Sequence, residues 1–420
     1  MAERPTVDGI SFLDPETQNC PYDAYSMLRD EAPVWRDPIT GMYVITRYED
    51  VRGLLLDVER YGSGRGPGKV PTGDERARRI YEMYETKGWL PAPTLAARDE
   101  PEHRQMRALF DHAFRPNRIK ALDPYIEALA HRLIDAFIDN GKCDWVRQFA
   151  VPLPLIVIGE QMGAPEADIW RIKAWTDAWV QRLGMMQTEA EAIWSTEMEI
   201  EAQHYFQAIF ERLRVEPDGT LLSDIVNTEV PGWGRPLNDN ELHAEMMADT
   251  FVGGSETSTN ALSAGVMLLL QSPDVWQRLK ESPEAHLPVF VEEVLRLEGP
   301  VQGLFRITRV NVELHGVKIP AGSTINVRYA AANRDERHFG CPAEVDLDRS
   351  NPKSHLAFGA GIHFCLGAPL ARRELHHGFS ALLQRFDEIR LAPNSAPLRH
   401  QPNFCLRALV ELPIEFVPAR

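Results

Sequence analysis

Cysteine is scarce in this chain: Cys20, Cys143, Cys341, Cys365 and Cys405 are the only five among 420 residues. An odd number in no paired spacing argues against a disulfide framework and for a reducing, cytoplasmic setting. Positive charge is also in deficit. A formal net charge of −16 leaves no basic face for a phosphate backbone, so nucleic acid is not the expected partner. No run of about 18 apolar residues is found, so no membrane-spanning helix is expected. The start, M-A-E-R-P-T-V-D-G-I, lacks the basic head and apolar core of a signal peptide. Internal repeats, low-complexity tracts, an iron–sulfur cysteine cluster and a dinucleotide fingerprint are all missing. Gly62–Val70, G-S-G-R-G-P-G-K-V, fails as a phosphate loop: Ser63 stands where the first glycine belongs, and Val70 where a hydroxyl should hold magnesium.

What remains is an ordinary globular composition, 44% hydrophobic and 25% charged. Apolar residues recur at three-and-four spacing from Pro124 to Asn140, Glu166 to Leu183 and Glu189 to Leu213, which predicts helices. A longer helix is predicted from Asn238 to Gln271. Asn238 and Glu241 form a capping box at its start, and Ser272-Pro273 ends it. Its length would be about 50 Å, and its middle, M-A-D-T-F-V-G-G-S-E-T, is apolar or small enough for a core. Strand signals are few: Met42–Thr46, Val312–Ile319 and Ser323–Tyr329. Residues 62–97, rich in glycine and proline, read as a loop with one short helix, of the kind that covers a site. No linker divides the chain, so the expectation is one large domain over residues 1–420, mainly α with small β-sheets.

The most informative stretch is H-L-A-F-G-A-G-I-H-F-C-L-G-A-P-L-A-R-R-E, His355–Glu374. Cys365 stands among glycines and just ahead of a helix. A thiolate metal ligand needs both features. Glycines let backbone N–H groups approach the sulfur, and the helix start favours its negative charge. A core cysteine needs neither. Phe358, Gly361, His363, Cys365 and Gly367 fit F-x-x-G-x-H-x-C-x-G, which resembles the haem-ligand signature of the cytochromes P450, of the soluble bacterial type.

That resemblance implies the P450 fold with the 238–271 helix over the haem, haem b as cofactor, and Cys365 as its axial ligand from the loop 355–367. It implies that Glu293, Arg296 and Arg349 form the structural network behind the haem. It implies that His103, Arg107, Arg306 and His363 hold the propionates, with Arg309 competing for the place of Arg306. Gly253-Gly254-Ser255-Glu256-Thr257 matches the family's Ala/Gly-Gly-x-Asp/Glu-Thr pattern. Gly253 and Gly254 would make room for oxygen, and Glu256 and Thr257 would deliver protons.

The implied activity is insertion of one atom of dioxygen into a medium-sized, hydrophobic organic substrate by a monomeric monooxygenase. The intact acid–alcohol pair favours electrons from a ferredoxin over peroxide. Arg104, Arg115, Arg118, Arg372 and Arg373 are candidates for a basic patch that steers that ferredoxin. Epoxidation, dealkylation, aryl coupling or peroxide use stay open, as does a non-catalytic haem sensor. Pocket candidates by resemblance are Trp89, Leu90, Leu95, Val252, Val301, Gln302, Leu304 and Phe404. Asp249, where relatives usually carry an apolar residue, is an expected contact for a polar or basic substrate group.

Overall fold

The computed structural model describes residues 7–64 and 74–419, so most of Gly62–Val70 lies outside the described residues. The chain groups into two compact units, 1–62 with 123–153 and 257–420, and 63–122 with 154–256. Each is threaded from separated stretches, which is why no linker is visible in the sequence. Among the described residues, no helix is long and apolar enough to cross a membrane.

The first unit holds the sheets. Its five-stranded sheet runs in the order Val34–Arg36, Tyr43–Ile45, Thr324–Val327, Leu304–Thr308, Tyr61–Gly62. Only the pairing of Tyr43–Ile45 with Thr324–Val327 is parallel. One face buries Val34, Ile45, Val51, Leu55, Ile325, Val327 and Leu356 in a common apolar cluster. A second sheet orders Lys142–Asp144, Pro413–Pro418 and Phe386–Leu391. The helix Thr257–Gln271 packs against Ala368–Arg385 and Pro283–Leu297.

The second unit is helical. Ile169–Leu183 packs along Glu189–Val215, and the latter begins with a capping box of Thr188 and Glu191. The capping box of Asn238 and Glu241 is present as well, opening Asp239–Glu245.

Three expectations need correction. The long helix does not run as a regular α-helix, because Met246–Glu256 is π-helical before Thr257–Gln271 resumes. Such widened turns collect at functional sites. Val312–Ile319 is not one strand but a hairpin of Val312–Leu314 and Val317–Ile319. Its turn residues His315 and Gly316 have φ of 50° and 78°, the left-handed pair that a tight hairpin requires. The loop 62–97 holds a full helix, Glu75–Lys87, of 13 residues, capped by Asp74 on the Ala77 N–H. Tyr84 is its one buried residue, and a hydrogen bond from the Tyr84 hydroxyl to Glu199 at 2.7 Å fixes it.

Candidate active site

In the first unit the cysteine loop is shaped by its glycines. Gly359 and Gly361 have φ of 68° and 71°, and a Cβ at Gly361 would lie 2.7 Å from the Leu55 carbonyl oxygen. Glycine alone meets both demands. The Cys365 N–H donates to the Phe358 carbonyl at 2.9 Å, folding the loop back on itself. Three residues later Ala368–Arg385 begins, so the half-buried thiol sits ahead of the positive end of a helix. A Cβ at Gly367 would come within 3.9 Å of the sulfur; glycine keeps that flank open.

Below this loop lies an acid the sequence reading missed. Glu292 accepts from Arg372 at 2.7 and 3.0 Å and meets His355 Nε2 at 2.9 Å. Burial pushes its carboxyl up, but the hydrogen bonds from His355 and Arg372 outweigh that and hold it at about 2. The Arg372 guanidinium in turn covers the Phe358 ring, 4.6 Å from its centroid. The signal was present in the sequence, in the first glutamate of E-E-V-L-R and the histidine opening the cysteine loop.

The second glutamate of that motif, Glu293, is fully buried. Arg296 grips it with two bonds of 2.7 and 2.8 Å, Arg349 with two of 2.7 and 3.2 Å, and the Asp346 N–H adds a fifth at 2.9 Å. Arg296 also donates to the carbonyls of Asn333, Pro342 and Glu344. Burial raises the Glu293 carboxyl and the arginines more than reverse it. Every strong group is satisfied, which is the condition under which a buried ion cluster is tolerated.

Arg306 lies in the strand Leu304–Thr308 and is only 9% exposed. Its guanidinium donates to the neighbouring Phe305 carbonyl at 2.8 Å and meets no carboxylate among the described residues. Arg309 is exposed, so burial favours Arg306 as the cation that needs an anion from elsewhere. His363 is half-buried in the turn Gly361–His363.

In the second unit, His103 and Arg107 share the helix Glu102–Ala113. His103 is buried, and that burial lowers its pKa. Arg107 pairs with Asp111 at 2.8 Å.

The two glycines of the central helix separate into different roles. A Cβ at Gly253 would meet nothing closer than the Ala248 carbonyl at 3.9 Å, and Gly253 is exposed on an otherwise buried stretch. At Gly254 it would sit 3.2 Å from Ile158 Cγ1. A side chain at Gly253 would make only ordinary contact, whereas one at Gly254 would press on Ile158. Glu256, 6% exposed, accepts from the Thr176 hydroxyl at 2.8 Å and pairs with Lys173 at 3.2 Å through the same oxygen. Burial alone would lower the Lys173 pKa, but Glu256 and Asp177 raise it and keep the ammonium charged. Lys173 and Thr176 were not foreseen, since nothing local in the sequence joins them to Glu256. Thr257, half-buried, begins the regular helix.

Asp249 faces a loop. Its Oδ2 accepts from the Ala96 N–H at 3.0 Å, so its carboxylate is engaged by backbone. Gln302 and Phe404 are internal. Gln302 accepts from the Tyr25 hydroxyl and donates to the Gly299 carbonyl, both at 2.8 Å. Phe404, 1% exposed, stacks on Phe305 and lies under the Arg328 guanidinium. Both make these contacts within the protein. Trp89 is held at both backbone groups by the Gln203 amide; Leu95 and Val252 are buried, and Leu90, Val301 and Leu304 are half-buried.

Each arginine of the expected basic patch meets an acid. Arg104 pairs with Glu100, Arg115 and Arg118 with Asp224, Arg372 with Glu292, and Arg373 with Asp123.

The profile of the cytochrome P450 family matches residues 186–414. A steroid C26-monooxygenase of Mycobacterium tuberculosis is 32% identical, covering 100% of this chain and 99% of its own. This chain belongs to the cytochrome P450 family. A polyketide biosynthesis P450 of Bacillus subtilis, PksS, is also 32% identical, over 95% of this chain and 96% of its own. The solved structure of CYP109E1 from Bacillus megaterium in complex with testosterone shares 30% identity at a TM-score of 0.79, covering 94% and 99%. The mainly helical fold with small sheets is that of P450 structures. This P450 is a haem-dependent monooxygenase that takes an organic substrate and needs a redox partner.

Proposed function

We propose that Cys365 is the axial thiolate, that Arg306, His363, His103 and Arg107 hold the propionates, and that Phe358 packs against the haem on the cysteine side. Haem held this way supplies the activation of dioxygen that lets one oxygen atom enter the substrate. The observation that carries this reading is Arg306, 9% exposed and with no acid beside its guanidinium among the described residues. A buried cation of this kind needs a carboxylate from a bound group. The donor set fits haem in two further respects: a thiol ahead of a helix start, and the missing side chain at the exposed Gly253.

Glu256 and Thr257 carry protons inward in this reading. Glu256 is buried yet tied to Lys173, which stays charged, and Thr257 offers its hydroxyl at the next residue. Positioned acid–base groups of this sort contribute roughly 10²–10⁴-fold.

Electrons come from a ferredoxin. Because its arginines are individually paired, docking depends on the more exposed Arg104 and Arg115, 81% and 49% exposed, rather than on a continuous basic field. The substrate is medium-sized and mostly hydrophobic, in the range spanned by the steroid and polyketide named for the relatives. Turnover of a substrate found by high-spin shift, with a ferredoxin system and with hydrogen peroxide alone, tests the reading. Product from the ferredoxin system in excess of peroxide supports it; peroxide-only turnover contradicts it.

A further inference from the structure

Glu245 and Asp249 lie one turn apart where the central helix turns π-helical. Both carboxylates cap the same short turn of another element. The Leu95 N–H donates to Glu245 Oε1 at 2.5 Å, the Ala96 N–H donates to Asp249 Oδ2 at 3.0 Å, and the Thr94 side chain also hydrogen-bonds Asp249. Leu95–Ala97 is a single 3₁₀ turn whose own cap residue, Thr94, makes no capping bond to it. The first N–H groups of such a turn need acceptors, and here they come from residues about 150 positions away in the chain.

These acids are poor choices for packing alone. Glu245 is 2% exposed, and neither it nor Asp249 forms an ion pair among the described residues. The nearby cation, Arg98, pairs with Glu102 and Glu241 instead. Burial pushes both carboxyls up, and Asp249 adds to the rise at Glu245. A buried Glu245 carboxyl with a half-buried Asp249 one turn away and no paired cation opposes folding unless their oxygens have fixed donors. The donors they have are the loop amides.

We infer that Glu245 and Asp249 are positioning residues that clamp the turn Leu95–Ala97, and through it the apolar side chains of Leu90 and Leu95 that bound the substrate. The second half of this inference rests on the reading of that loop as a substrate wall. The clamp makes the shape of the wall depend on two acids of another element.

The test uses the haem-loaded full chain as Asp249→Ala, Glu245→Ala, Asp249→Asn, Glu245→Gln and Leu95→Ala. Hydrogen exchange at Leu95 and Ala96 reads the clamp directly. Exchange should quicken by tenfold or more in the alanine variants and stay near wild type in the amide variants, which keep an acceptor oxygen. Unchanged exchange in both alanine variants overturns the clamp. Spectral titration with imidazole and with 1-phenylimidazole reads the wall. Leu95→Ala should weaken 1-phenylimidazole at least fivefold and leave imidazole alone; equal affinities there overturn the wall reading while the exchange result still judges the clamp. With the wall confirmed, the alanine variants should weaken 1-phenylimidazole selectively, and unaltered affinity overturns the positioning role.

Discussion

The ring of Phe379 fills the space that a side chain at Gly265 would need: a Cβ there would lie 2.2 Å from Cζ. Across the same contact, a Cβ at Gly378 would meet Leu262 Cδ2 at 2.7 Å. Two glycines thus let Thr257–Gln271 and Ala368–Arg385 pack closely, the first helix carrying Thr257 and the second following Cys365. Gly265→Ala should lower stability by about 1–3 kcal/mol through overpacking, despite the gain of about 1 kcal/mol in helix propensity. Gly253→Ala, with no neighbour to strike, should leave the thermal midpoint unchanged or slightly raised. Thermal unfolding followed by circular dichroism separates the two.

Glu374 gives a pH signature. It is fully buried, accepts from the Ser258 hydroxyl at 2.6 Å, and burial raises its carboxyl to about 8 against the smaller opposing effect of that bond. Its other oxygen has no hydrogen-bond partner among the described residues, so the neutral acid is the form that fits. The folded chain holds this proton to a higher pH than the unfolded chain does. The stabilising preference is therefore full below about pH 4.5 and is lost as pH rises to about 8, by up to about 5 kcal/mol. Glu374→Gln should gain stability relative to wild type across that window. Urea unfolding from pH 5 to 9 checks it; a constant difference refutes the assignment.

The Glu293 cluster predicts an asymmetric loss. Glu293→Ala leaves Arg296 and Arg349 facing each other in a buried site, which should cost about 3–5 kcal/mol and reduce haem incorporation. Arg349→Ala removes the more peripheral partner and should cost less. Haem-to-protein ratio and denaturant midpoint, measured on both variants, compare the two.

Glu256→Gln should keep the contact with Thr176 but lose the charge that pairs with Lys173. Product formation with the ferredoxin system should fall by about tenfold or more, and peroxide-driven conversion should fall less. Equal losses by both routes would make Glu256 structural.

What could be read from the sequence was local or short-range. The cysteine loop announces itself because its glycines are needed for backbone shape within ten residues, and Glu293 with Arg296 follows from an i, i+3 spacing. The central helix was visible through its caps, but not its π-helical stretch, which no apolar period encodes. Contacts between distant segments were hidden: Lys173 on Glu256, the loop amides on Glu245 and Asp249, and Tyr25 on Gln302. Glu75–Lys87 was legible only as one short helix without bounds, because its apolar positions, Ala77, Ile80 and Tyr84, are few among charges and follow a glycine- and proline-rich stretch.

The central claim is a bond from the sulfur of Cys365 to haem iron. The carbon monoxide difference spectrum of the reduced protein tests it most directly, run beside Cys365→Ala and Cys365→His. A thiolate-type red-shifted Soret band in the native protein, absent from both variants, is the predicted result. The same band surviving in either variant, or never forming in the native protein, would contradict the account.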